Sequence, residues 1–355
     1  MKLEHWSLHF YRLRYAREVV WANAREDAGL FALLRIEANG ASGIAEGTLK
    51  ATWSGVSPAS LKASLEDFLM PRLAGIELAD ETNVARALAG IPENRLAKGM
   101  IESACWTLRA AAAKQPLWKL WDAGRTRKLA WTVTRQKPAQ MAADAAEVCA
   151  RYGFRVLKVK GGQGVDVDLR ALAEIRAAVG DGVELYVDAN GAYGRADAAE
   201  YLRALAAAGV TVAEDPCPLQ PDAGFEALQK ASPIPILVDR SCASQQDAAL
   251  YLERGAQALS TKPGRVGLAE TRAIVAQASP RGARTAVGLY AESALGTLVN
   301  LQQPGSMAAE QTFYLAMTEQ VCAQVPAIRD GKIELPEAAD LSQLVDWGRL
   351  QTLAL

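Results

Sequence analysis

Histidine is the scarcest reactive side chain in this sequence: there are two in 355 residues, His5 and His9, both near the N-terminus. A Ser-His-Asp site, a histidine-rich zinc site or a His-Asp general base deep in the chain is therefore close to excluded. Any proton chemistry falls to lysine or carboxylate. Long apolar runs are also missing, so no stretch has the length a membrane span requires. The opening MKLEHWSLHFYRLRYAREVV carries charges every few residues, which argues against a secretory signal peptide. The five cysteines (Cys105, Cys149, Cys217, Cys242, Cys322) are scattered, odd in number and without C-x-x-C spacing. Free or buried thiols in a reducing cytoplasm are the expectation. Charge of one sign is lacking too: 39 basic and 40 acidic residues leave a net charge of −1. No basic surface argues for nucleic acid or an anionic membrane as partner.

What is present is an ordinary globular balance, 50% hydrophobic and 22% charged, in a chain long enough for one large α/β domain and a smaller one. Up to about residue 125, strands and helices mix. LFALLRIEANGASGIAEG (30–47) predicts two short strands around an Asn-Gly turn. Ser57 followed by Pro58 marks a helix start, and helical periodicity runs through NRLAKGMIESACWTLRAAAAKQPLWKLW. From about residue 129, short apolar runs (LAWTVTR, RVLKVK, ELYVDAN, VTVAEDP, PILVDRS, ALSTKP, RTAVGLYAES) alternate with amphipathic helices. With EQTFYLAM (310–317) as an eighth strand the count suits a closed parallel barrel; an open doubly wound sheet is the alternative.

Charged residues fall at the C-terminal ends of these strands: Lys158 and Lys160, then Asp188 with Asn190, Glu214 with Asp215, Asp239, Lys262 and Glu292. One β-α unit separates successive members, and in a barrel those ends converge on one mouth. A single acid after a strand is most often a helix cap or a loop ion pair, and Asp215 is read that way. Asp188, Glu214 and Asp239 each follow an apolar run directly, and three carboxylates facing one mouth repel unless a cation lies between them. Oxygen-only ligands select a hard ion, Mg²⁺ or its substitute Mn²⁺. Lys158 and Lys160 share one strand face, and the repulsion between two like charges is expected to lower the pKa of one of them.

The ordered set LKVKGG, VDAN, AEDP, VDRS, KPGRVG and GLYAESALGT, with NRLAKGMIESACWTLRA before it, resembles the muconate lactonizing enzyme (muconate cycloisomerase) subgroup of the enolase superfamily from about residue 20 to 320. The resemblance implies a (β/α)7β TIM-like barrel at 126–320, an N-terminal α+β capping domain at 1–125, and a C-terminal segment at 321–355 that packs back on the cap. It implies Mg²⁺ on Asp188, Glu214 and Asp239, holding a substrate carboxylate and stabilising the enediolate formed when the α-proton leaves. By the same resemblance Lys160 and Lys262 are the general base and acid on opposite faces. Lys158 tunes Lys160, and Asn190 supports the metal site from beside it. The sequence departs from the family's D-E-S at Asp239-Arg240-Ser241, where a cation replaces a glutamate, and at Ala123 in WDAGRTR, where glycine is common.

Within the subgroup, the absence of D-x-D near the seventh or eighth strand lowers the dipeptide epimerases, and the absence of a barrel histidine disfavours acid-sugar dehydration. Glu292 in YAESALGT most resembles the cycloisomerases; N-acylamino acid racemase and o-succinylbenzoate synthase are the alternatives. Specificity is expected from a loop at 15–29 carrying Arg17, Trp21 and Arg25, with an arginine contacting a second substrate carboxylate. A non-catalytic metal-binding barrel is the further alternative, and Arg240 alone favours it. A small carboxylate substrate, no nucleic-acid or membrane partner, and a symmetric homo-oligomer are expected.

Overall fold

The computed structural model describes residues 1–21 and 24–355. Three antiparallel strands come first, β1 (His5–Val20), β2 (Arg25–Ala38) and β3 (Ala41–Thr48), in that sheet order. Asn39 and Gly40, both at positive φ (52° and 72°), make the tight turn between β2 and β3 that the Asn-Gly pair specifies. β2 reads as the near-continuous apolar run LFALL because both of its faces are covered. Phe31 and Leu33 join Tyr11, Leu13 and Tyr15 against the barrel, while Leu34 and Ile36 pack under the helix Arg95–Ala112. β1 is longer than its sequence suggests. Arg12 and Arg14, on the exposed face, alternate with buried Tyr11, Leu13 and Tyr15 and hide the strand pattern.

Consequently most of the expected 15–29 loop is strand: β1 and β2 pair as far as Val20↔Arg25. Ala22 and Asn23 of that loop lie outside the described residues. The Ser57–Pro58 helix start is present, with the Ser57 side chain accepting from the backbone N–H of Ser60.

The chain then passes through β4 (Thr126–Lys128) into the parallel strands β5 (Trp131–Val133), β6 (Val156–Lys160), β7 (Glu184–Asp188), β8 (Val210–Glu214), β9 (Ile236–Val238), β10 (Ala258–Thr261) and β11 (Arg284–Val287). Their order follows the chain, β5 to β11, so each crossover helix covers the outside. The sheet closes at Ala309, which bridges in parallel to Leu129, while Glu310 N–H donates to Val287 O. The architecture is therefore an α/β barrel, not an open sheet.

The eighth strand is not EQTFYLAM. It is a short extended stretch ending at Glu310, and Phe313–Ala316 forms a 3-10 turn instead. The Phe313 ring of that turn packs against Tyr15 and Trp21, and Tyr314 is buried in the core. β12 (Lys332–Glu334) pairs antiparallel with β4. The last residues return to the cap, with Ala354 bridging to Tyr11 and Leu355 N–H donating to Phe10 O.

Cap and barrel meet through two glycines. A Cβ on Gly99 would lie 2.7 Å from the backbone of Val266 and Gly267, and Gly267 itself adopts φ +89°. The Arg95–Ala112 helix thus rests on the turn that follows Lys262, and Ser103 Oγ accepts from Leu268 N–H at 2.9 Å. All five cysteines are free thiols. Among the described residues no helix is long and apolar enough to cross a membrane.

Candidate active site

Register places the charged residues side by side. Lys160 on β6 lies opposite Asp188 on β7, and Asp188 opposite Glu214 on β8. β9 delivers Asp239 just past its end. The three acids form a row across adjacent strands, with a lysine at each end. Lys160 Nζ is 2.6 Å from Asp188 Oδ2, and Lys262 Nζ is 2.6 Å from Asp239 Oδ2. Behind the row lies Lys158, 1% exposed, whose ammonium reaches Glu214 at 2.8 Å, Glu310 at 2.8 Å and Asp188 at 3.1 Å.

The electrostatics follow from this crowding. Burial alone would raise Asp188, but Lys158 and Lys160 outweigh it and hold the carboxyl well below the usual range. Asp239 is likewise low, its burial overcome by Lys262 and Arg265. Glu214 goes the other way: burial and the neighbouring Asp188 push it far up. Burial works against the Lys158 ammonium, yet Asp188, Glu214 and Glu310 together raise its pKa well above the lysine range. Repulsion from Lys160 therefore does not depress Lys158, because three carboxylates surround its ammonium. The three acids that surround it arrive from distant strands, and spacing along β6 does not reveal them.

Several participants carry a weaker sequence signal. Glu310 ends the short eighth strand, as the other acids end theirs; its Oε1 also accepts from Thr132 Oγ1 at 2.6 Å. Asp215 is neither a helix cap nor a loop ion pair. At φ 38° it accepts the backbone N–H groups of Asp239 and Arg240 at 3.1 and 2.9 Å, and burial with Asp239 and Asp188 nearby raises its pKa to about 7. Asp168 clamps the glycine turn after Lys160, accepting from Gly162 N–H, Gln163 N–H and Tyr201 OH at 2.8, 3.1 and 2.9 Å. Arg265 donates to the carbonyls of Asp239 and Cys242 at 3.2 and 2.6 Å.

Asn190 stands beside Asp188, with its N–H 2.8 Å from Oδ1 and Nδ2 3.1 Å from Oδ2. Glu292 is buried, accepting from Tyr290 N–H and Asn300 Nδ2 at 2.8 and 2.9 Å, and burial raises its pKa to about 7. Arg240 projects to solvent while its backbone is held by Asp215. Trp21 donates to Glu26 at 2.8 Å. Arg25 pairs with Glu18 at 3.1 Å, both side chains exposed, and is not brought to the row of acids.

The donor set suits a hard divalent cation. It consists of carboxylate oxygens alone, on three adjacent strands, and Asp239 Oδ1 is buried without any hydrogen-bond partner, a lone acceptor in search of a positive charge. In this structure ammonium groups lie on Asp188 Oδ2, Glu214 Oε1 and Asp239 Oδ2. No three of the described acids are drawn together as around a single ion.

A sheet cap seated on a closed parallel barrel, with lysines and acids gathered at the strand C-termini, defines a capped-barrel enzyme. The chain belongs to the enolase superfamily, in the mandelate racemase / muconate lactonizing enzyme group. Residues 140–346 match the family model described as "Enolase C-terminal domain-like", and residues 16–121 match "Mandelate racemase / muconate lactonizing enzyme, N-terminal domain". It is 30% identical over 314 residues to the o-succinylbenzoate synthase of Geobacillus kaustophilus, covering 85% of this chain and 79% of that protein. It is 28% identical over 341 residues to Muconate cycloisomerase 1 of Pseudomonas putida, covering 91% and 90%. Its fold matches the crystal structure of the muconate lactonizing enzyme from Pseudomonas fluorescens complexed with muconolactone, at a TM-score of 0.89 and 26% identity over 100% of this chain and 99% of that one. Family membership implies a divalent metal, typically Mg²⁺.

Proposed function

We propose that the protein moves a proton at the carbon next to a substrate carboxylate, in a reaction of the muconate cycloisomerase type, with Lys160 and Lys262 as the proton-carrying groups. The observation that carries this reading is the row Asp188–Glu214–Asp239 with one ammonium group at each end. Asp188, Glu214 and Asp239 would hold Mg²⁺, which would supply positive charge next to a substrate carboxylate. Lys160 Nζ takes or returns the proton on one side of the bound acid and Lys262 Nζ on the other. Lys158, fixed by Glu214 and Glu310, keeps a permanent positive charge behind the developing anion. Asn190 and Asp215 orient the carboxylates through their hydrogen bonds to Asp188 and to the backbone of Asp239. Arg240 is exposed, and its backbone N–H is held by Asp215.

The named relatives support two reaction types. Muconate cycloisomerase 1 matches over 91% of the chain. The o-succinylbenzoate synthase at 30% identity and an N-succinylamino acid racemase of Thermus thermophilus at 26% support a racemase or synthase activity instead. The free thiols suit a cytoplasmic enzyme, and a symmetric assembly of copies is part of the proposal.

Incubation with Mg²⁺ in D₂O against muconolactones, N-acylamino acids and succinylbenzoate precursors, followed by proton NMR, tests it. Loss of the α-proton signal for one class, suppressed by EDTA, is the expected result. Exchange that persists undiminished in EDTA would contradict it.

A further inference from the structure

The turn that follows Lys160 is gripped from two sides by charged residues. Gly161 N–H extends the β6–β7 ladder by donating to Asp188 O at 2.9 Å. Beyond it the chain turns sharply, with φ +85° at Gly162 and +110° at Gly164. A Cβ on Gly162 would lie 2.7 Å from Ala192 Cβ and 2.8 Å from Ala189 O, so the turn is pressed against the loop after β7. On one side Asp168, 3% exposed on the helix Val165–Val179, takes the N–H groups of Gly162 and Gln163. On the other side stands Arg135, just past the end of β5.

Arg135 spans two loops. Its Nε donates to Gly161 O at 2.6 Å, and its Nη2 donates to Asn190 Oδ1 at 3.2 Å and to Ala189 O at 3.4 Å. All three acceptors are neutral, two carbonyls and a carboxamide, so these bonds do not serve to neutralise an acid. The Asn190 Oδ1 that Arg135 holds also accepts from Lys160 Nζ at 3.4 Å, and Asn190 Nδ2 donates to Asp188 Oδ2 at 3.1 Å. With two cations on its oxygen, the carboxamide presents its NH₂ to Asp188. Without Arg135 the amide is free to turn over, and the loop after β6 loses a tie to the loop after β7.

We propose that Arg135 is the positioning residue of the Lys160 side of the site. It fixes the backbone turn after Lys160 and the carboxamide of Asn190, so that the Lys160 ammonium keeps one place at the barrel mouth. Asp168 holds the same turn through its backbone N–H groups. A planar guanidinium suits this task, since its donors point in fixed directions and bridge acceptors on two loops at once. An ammonium in its place would reach one loop and leave the other. Proton transfer demands such fixity, because a misplacement of about 1 Å at a reacting group costs up to about 10²-fold in rate. The inference rests on the proton-transfer reading above and adds to it a residue that acts only through Lys160 and Asn190.

The test is a double-mutant cycle on the full chain with saturating Mg²⁺, using the compound of the D₂O panel above that wild type exchanges. Arg135→Met is expected to lower kcat for exchange by about 10–100-fold with KM little changed, since Arg135 places the lysine and not the substrate. In the Lys160→Ala background the same substitution should cost nothing further. Arg135→Lys should recover only part of the loss. Equal losses with and without Lys160 would overturn the proposal, and so would wild-type kcat in Arg135→Met or a rise in KM alone. If no compound exchanges, or Lys160→Ala keeps the wild-type rate, the proton-transfer reading fails for Lys160, and the crystal structure of Arg135→Met with Mg²⁺ decides the positioning by itself. Lys160 Nζ displaced by about 1 Å or more, with Lys262 in place, supports it; an unmoved Lys160 and Asn190 would overturn it.

Discussion

At least one of Lys160→Ala and Lys262→Ala lowers α-proton exchange by about 10²–10⁴-fold, the contribution of a positioned general acid or base, while Mg²⁺ binding persists. The size of the effect follows from the lack of substitutes. The two histidines of the chain lie at its N-terminus, far in sequence from the barrel, and Lys158 is tied to three carboxylates that raise its pKa and keep it protonated. Each of the other two lysines holds a single carboxylate of the row. The pattern across the two variants also reads the reaction. A racemase loses exchange of one enantiomer with each lysine, because each serves one side of the α-carbon. A one-sided synthase or cycloisomerase loses exchange with one lysine and keeps it with the other. The measurement is deuterium incorporation by proton NMR on separate enantiomers. Wild-type rates in both variants would remove the lysines from the mechanism.

Lys158→Met destabilises the metal-free protein by about 3–5 kcal/mol, the usual cost of removing one partner from a buried charge cluster. Three buried carboxylates, on Asp188, Glu214 and Glu310, share this one ammonium. Without it they must take up protons or remain uncompensated in a region closed to water. Methionine keeps the aliphatic volume, so packing loss is a minor part. Urea denaturation in EDTA measures the drop, and added Mg²⁺ recovers part of it if a cation takes over the charge balance on Asp188 and Glu214. A variant as stable as wild type in EDTA would mean that the ammonium is not what neutralises the cluster.

The lysines and acids of the row were legible in the sequence because each ends an apolar run, and a parallel barrel sends all such ends to one mouth. The closing of the barrel was less legible. Its eighth strand is a few residues long and stops at Glu310, where the apolar residues of FYLA then mimic a strand that the chain does not form. Glu310 is hard to read for the same reason: in EQTFYLAM it stands as the start of an element that it ends. Asp215 and Asp168 act by accepting backbone N–H groups, a role that residue spacing does not encode. The long β1 strand was obscured by the arginines on its exposed face.

The assignment of Asp188, Glu214 and Asp239 as the cation site is tested most directly by calorimetric titration of Mg²⁺ into wild type and into Asp188→Asn, Glu214→Gln and Asp239→Asn. One Mg²⁺ per chain in wild type, weakened about tenfold or more by each substitution, a loss of at least 1.4 kcal/mol, is the predicted result. Unchanged Mg²⁺ affinity in all three variants would contradict the account.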